Sequence, residues 1–182
     1  MGIIKFFKEL SNFTKIVTDA AQAASEESAE LPVLHSNMDD ETVFETAFER
    51  IDILVELNEE DAENAPLTLP QRYCYALNLL ELEVNNGGLC QFFVNSSRAV
   101  APYISEYLGI IGAEDHKTLF DTFVAKNQID LTDLSSFEIR RTRDFEKQAV
   151  RYPFDEFDDA FYRLDTLETP LIAYIRKNIS AF

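Results

Sequence analysis

Between Asp39 and Glu63 the apolar and polar positions repeat with the period of an α-helix. At about 100° per residue, Phe44, Ala47, Phe48, Ile51, Leu54 and Val55 gather on one side. Glu41, Glu45, Glu49, Asp52, Glu56, Glu59, Glu60 and Glu63 share an arc of about 100° away from them. The pattern predicts one long amphipathic helix with a core face and a carboxylate stripe. At ~1.5 Å per residue that stripe runs ~33 Å, close to the ~34 Å of a B-DNA turn. A solvated acidic face is the ordinary explanation for such a pattern. Against it, Arg50 is the only basic residue from Asp19 to Pro66, facing fifteen acids, and like charges at i,i+4 cost helix stability.

The other periodic stretches are helical too. Ile3, Phe6, Leu10, Phe13, Val17, Ala20 and Ala24 form a seven-residue repeat flanked by Lys5, Lys8 and Lys15, which predicts an amphipathic helix over residues 1–24 that packs on its own domain or on a second copy, with a membrane-surface or partner-binding role as the alternative. Residues 25–38 read as a polar, flexible linker and residues 39–182 as one all-helical domain. Thr68 with Gln71 three residues on resembles a capping box, and Pro70 suits a first turn. The helix that follows, over 70–84, is apolar on two sides and belongs in the middle of the bundle. It is expected to end at Asn85-Asn86-Gly87-Gly88, with Leu89 to Asn95 resuming the pattern. Helices are expected over Ser97 to Ile111, closed by Gly112, and over Glu114 to Lys126 and Leu134 to Val150. Asp155 to Leu164 is acidic and aromatic, and a last helix is expected from Thr169-Pro170 to Ile179. The fold class is all-α, a single multi-helix bundle with an N-terminal amphipathic helix.

Composition narrows the picture. The chain of 182 residues is 46% hydrophobic, with fifteen Phe, seven Tyr and only five Gly, the profile of one helical globular domain. A net charge of −17 argues against direct contact with nucleic acid or an anionic membrane and makes a basic partner the natural complement. Residues 1–66 carry sixteen acids against four bases, while residues 67–182 carry seventeen against twelve. Most of the excess charge therefore lies in the first third. Arg140, Arg141, Arg143, Lys147 and Arg151 form a basic cluster that rivals the functional use of the stripe if it folds against it. Asp155, Glu156, Asp158 and Asp159 supply a second acidic patch that either extends the surface or is simply solvated. Cys74 and Cys90 are expected as buried free thiols, which fits a reducing cytosol. No apolar run reaches membrane-spanning length and no secretory pattern is visible, so a cytoplasmic protein is expected.

Chemistry is sparse. His35 and His116 lack partner spacing for a metal or a nucleophile and are expected at the surface; no metal and no cofactor are expected. Glu81, Asn85, Asn86, Gly87, Gly88, Gln91 and Asn95 place polar groups beside an apolar core, where they must find hydrogen-bond partners. Their expected role is to hold the turn. An acid/base pocket built on Glu81 with Asn85 and Gln91 is the enzymatic alternative.

The run from Glu81 to Ser97, Glu-Leu-Glu-Val-Asn-Asn-Gly-Gly-Leu-Cys-Gln-Phe-Phe-Val-Asn-Ser-Ser, resembles the signature of the bacterial DNA-mimic-protein family: an acidic residue, Val-Asn-Asn-Gly-Gly-Phe, a Gln-Phe or Gln-Tyr pair, and Asn-Ser-Ser-Gly. Ile111-Gly-Ala and the block Phe157 to Leu164 are similar to the family as well. The likeness extends from about Asp39 to the C-terminus and departs at Leu89, where Phe is usual, and at Arg98, where Gly is usual. It implies an acidic, all-helical protein, one relative of which presents carboxylates as imitation phosphates to the DNA-binding surface of a helix-turn-helix repressor. The expected function is therefore to bind such a regulator, or a nucleoid protein, through the stripe, in competition with duplex. Inhibition of a basic toxin or nuclease is the alternative, and an enzyme using Glu81 the third. A homodimer is left open.

Overall fold

In the computed structural model, which describes residues 31–57, 65–139 and 141–182, the longest helix starts where the capping box predicts. Thr68 Oγ1 accepts from Gln71 N at 3.3 Å, and Gln71 Oε1 accepts from Thr68 N at 2.9 Å, so two orphan donors are satisfied reciprocally. The expected helix over 1–24, most of the linker, Glu59, Glu60, Glu63 and Arg140 lie outside the described residues. Pro32–Phe182 forms one compact unit.

Among the described residues the seven α-helices are α1 (Asp40–Glu56), α2 (Leu69–Val94), α3 (Ile104–Ile111), α4 (Glu114–Asn127), α5 (Thr142–Ala149), α6 (Phe154–Phe161) and α7 (Glu168–Lys177), with 3-10 turns at Ser96–Tyr103, Ser135–Phe137 and Ile179–Ala181. Among the described residues there is no strand. The fold is the expected all-α bundle. Helix α2 runs through its middle, packing on α1, α3, α5, α6 and the first 3-10 turn. It buries Cys74, Leu77, Leu80, Val84, Leu89, Phe92 and Phe93. Each of the large side chains contributes about 1.5–3 kcal/mol by leaving water.

Helix α2 breaks where the sequence places the end of its first run: Gly87 and Gly88 leave helical backbone, at φ −161° and +80°, and the helical pattern resumes from Leu89 to Val94 as expected. Three expectations about the elements need correction. First, residues 97–111 divide into a 3-10 turn and α3. Pro102 lacks an N–H and disfavours α conformation in the residue before it, so the α-helix starts beyond it. Second, the stretch 134–150 is not one helix. Phe137 is 1% exposed and stacks on Phe93 at 4.9 Å, Glu138 is extended, and α5 begins only at Thr142. Third, α1 closes at Glu56 with Leu57 as its C-cap.

Helix α1 is fixed at its start. Asp39 caps it by accepting from Thr42 N at 2.8 Å, and Val43, Ala47, Phe48 and Ile51 go into the core. Arg176 of α7 donates through Nε to Asp40 Oδ1 at 2.7 Å and through Nη2 to the Met38 carbonyl at 2.9 Å. The end of the expected linker is tied down as well: Leu34 is buried and Arg50 Nη1 donates to the Pro32 carbonyl at 2.9 Å.

Cys74 and Cys90 are buried free thiols, and burial pushes both up to about 12, too high for a thiolate nucleophile. His35 is exposed, but His116 is not. It is 7% exposed, with Phe161 of α6 set against it in an edge contact at 5.2 Å, and burial lowers its pKa. Its position was misjudged because the aromatic that covers it is 45 residues further along the chain.

Candidate functional site: an acidic helix face and a clamped kink

The acids of this protein fall into two constellations. One surrounds the kink of α2. Gly88 has a left-handed φ of +80°, and a Cβ there would run into the carboxylate of Asp158. That carboxylate is placed to accept from Leu89 N at 2.8 Å, capping the helical segment that restarts after the kink. One turn later on α6, the Tyr162 hydroxyl donates to the Val84 carbonyl at 2.7 Å and satisfies the segment that has just stopped. Two side chains of α6, four residues apart, thus satisfy both sides of the break.

Glu83 is the hub of the same region. Its carboxylate accepts from Gln91 Nε2 at 2.6 Å, from Asn95 Nδ2 at 2.9 and 3.0 Å, and from Ser97 Oγ at 2.9 Å. Glu81, singled out from the sequence, faces elsewhere: Oε1 accepts from Leu167 N at 2.9 Å, at the entry to α7. Burial raises the Glu81 carboxyl and also that of Asp158. The trio Glu81, Asn85 and Gln91 is not assembled into one pocket, because Gln91 is spent on Glu83 while Asn85 and Asn86 are exposed. Glu83 was missed although it lies two residues from Glu81, eight before Gln91 and twelve before Asn95. An i,i+8 partner on a helix is two turns away, and only the kink brings it within reach.

The second constellation is the outer face of α1. Glu41, Glu45, Glu49, Asp52 and Glu56 are all exposed, within an arc of about 80° and over about 22 Å of helix. This is two thirds of the length expected for the full stripe. None of the five is ion-paired among the described residues. The nearest counter-ion contact on α1 is Arg176 with Asp40, one residue before the stripe. Although Asp52 is exposed as a residue, partial burial of its carboxylate, and the charge of Glu56 one turn on, push it up to about 6. Phe44 and Phe48 lie on one margin of the acids and Ile53 on the other, so the carboxylates of Glu45, Glu49, Asp52 and Glu56 stand on an open, shallow surface.

The basic cluster does not clasp this face through its described members. Lys147 pairs with Asp144 at 3.1 Å, and Arg151 Nη1 donates to the Ser136 carbonyl at 3.1 Å while lying over the rings of Phe137 and Tyr152. Arg141 and Arg143 are exposed. The second acidic patch splits. Asp158 is turned inward to the kink, Glu156 approaches Lys126 at 3.4 Å and Asp159 approaches Arg163 at 3.9 Å, and Asp155 is exposed. Among the described residues no group of His, Cys, Asp and Glu is placed to hold a metal ion, and no helix is long and apolar enough to cross a membrane.

An all-helical bundle built round a glycine-kinked central helix, with an amide and carboxylate network at the kink and an acidic outer helix, defines the class of protein. The chain belongs to the family described as DMP19-like protein, DNA mimic protein 19-like, whose model matches residues 65–178. The match covers more than half of the chain and contains the whole kink network. It begins after α1, so the acidic face lies outside it, and the likeness is shorter than the expected span from Asp39. No curated protein and no solved structure matches the chain.

Proposed function

We propose that this protein binds the basic DNA-binding surface of a transcription regulator of helix-turn-helix type, or of a nucleoid protein, and competes there with duplex DNA. The observation that carries the reading is the face of α1, where Glu41, Glu45, Glu49, Asp52 and Glu56 stand exposed in one arc without a cation partner among the described residues. Membership of a family named for a DNA mimic supports the same reading. Carboxylates at such a face meet the Arg and Lys that otherwise contact phosphate, by charge-assisted hydrogen bonds. A net charge of −17 speeds the encounter with a cationic surface and makes it sensitive to salt.

The test is capture from host lysate on the full chain, followed by elution with a short duplex. The expected result is a DNA-binding protein released by duplex, and retained at least about tenfold less by the Glu45→Lys, Glu49→Lys, Asp52→Lys triple variant. Equal retention by the variant removes α1 as the site. Release of one specific enzyme that duplex does not displace, with its activity inhibited by this protein, would instead identify an inhibitor of a basic nuclease or toxin.

A further inference from the structure

Helix α6 joins two neighbours through one turn of side chains. It packs on α2 and on α4. Asp158 accepts from Leu89 N on one side of the break in α2, and Tyr162 donates to the Val84 carbonyl on the other. Between them in sequence comes Phe161, 5% exposed, which meets His116 of α4 with ring centroids 5.2 Å apart. Whatever displaces Phe161 therefore displaces the two groups that close the break. The opposite end of α6 is held separately, since Phe154 and Phe157 both pack on Phe123 of α4.

His116 is badly placed to carry charge. It is 7% exposed, and no described residue shares a hydrogen bond with its imidazole. It is the third residue of α4, where the helix dipole disfavours a cation. The charges that act on it are Asp115, beside it on α4, and Asp165, in the link after α6; α3, which also packs on α4, contributes none among the described residues. Both carboxylates favour the imidazolium, and burial opposes it with the larger effect.

We propose that His116 and Phe161 form an acid-sensitive latch: the neutral imidazole holds the end of α6 against α4, and protonation releases Phe161 and with it the Asp158 and Tyr162 clamp on the kink of α2. Burying an imidazolium without a hydrogen-bonded partner is costly, and moving Phe161 aside to admit water relieves that cost. The folded state disfavours the charged ring, so the stability it contributes is present above the ordinary imidazole value of 6.5 and is lost as pH falls through the lower folded value. The loss is confined to one end of α6, because the contacts to Phe123 do not involve His116.

The test is amide hydrogen exchange by NMR on the full chain, corrected for the intrinsic effect of pH, with the His116 ring titrated in the same samples. From about pH 7 to about pH 5 the Leu89 amide should lose at least about tenfold of its protection, while that of Ile51 in α1 changes less than about threefold. In His116→Phe the change at Leu89 should fall below about threefold. An equal loss at Ile51 makes His116 a contributor to global stability only and overturns the latch. So does a loss at Leu89 that persists in the variant, which would assign it to protonation of Asp158. Should the variant fail to fold, the parent alone decides: the midpoints of the His116 ring and of Leu89 protection must coincide, and separate midpoints overturn the proposal. A ring midpoint at or above 6.5 also overturns it, since Phe161 and the two aspartates would then favour the cation.

Discussion

The kink of α2 and the outer face of α1 are both rich in carboxylates, and they use them in opposite ways. At the kink, Glu81, Glu83 and Asp158 each accept hydrogen bonds from named donors, those to Glu81 and Asp158 from distant parts of the chain and those to Glu83 from across the break. Their acids are occupied in joining helices. On α1, five carboxylates are exposed in one arc with no cation among the described residues, although spreading like charges along a helix costs stability. A half-buried acid without donors is expensive, so donors at the kink signal architecture, whereas unpaired acids at a solvent face leave charge available to a partner. The family match agrees with this division, since it covers the kink and stops short of α1.

The comparison predicts that substitutions at the kink damage the fold and substitutions on α1 do not. Gly88→Ala should have the largest effect. It combines a left-handed φ with a Cβ placed against Asp158, and about 3 kcal/mol of stability should be lost in urea unfolding. A loss under about 0.5 kcal/mol would show that α6 does not clamp the break. Glu83→Ala should cost about 2 kcal/mol, because the amides of Gln91 and Asn95 and the hydroxyl of Ser97 lose their shared acceptor. The Glu45→Lys, Glu49→Lys, Asp52→Lys variant should unfold within about 1 kcal/mol of the parent, since exposed charges contribute little; a collapse of stability would place these acids in the architecture after all.

Asp52 gives the smallest and most specific effect. Its carboxyl is raised to about 6 from 3.8, so the folded state favours the protonated form. That contribution is fully present below 3.8 and is lost as pH rises through about 6. Asp52→Asn should therefore raise the melting temperature slightly at pH 7.5 and leave it unchanged near pH 3.5. For the partner the sign reverses, because a cation favours the ionised form: binding should strengthen as pH rises from 5 to 7, and in the Asn variant this dependence should shrink.

Much of the architecture was written locally. The capping box at Thr68, the cap at Asp39, the left-handed glycine at Gly112 and the double-sided apolar pattern of α2 all act through residues within one or two turns of each other, so a linear reading finds them. The same holds for the exposed acids of α1 from Glu41 to Glu56, whose arc follows from helical period alone. What the periodicity could not give was the end of that helix at Glu56, or the division of residues 134–150 into a 3-10 turn, an extended link and α5. Those depend on which neighbours supply packing and caps.

The order of residues thus determined that the chain is an acidic helical bundle with one carboxylate face, because hydrophobic period and net charge are properties of the string. Only the folded structure decided that Glu83 and not Glu81 holds Gln91, Asn95 and Ser97, that Asp158 turns inward while its neighbours stay in solvent, and that His116 is covered by Phe161. Each of these outcomes sets a side chain against a group brought near by a kink or by another helix, and the free energy of a buried polar or aromatic contact depends on that distance, which sequence separation does not measure.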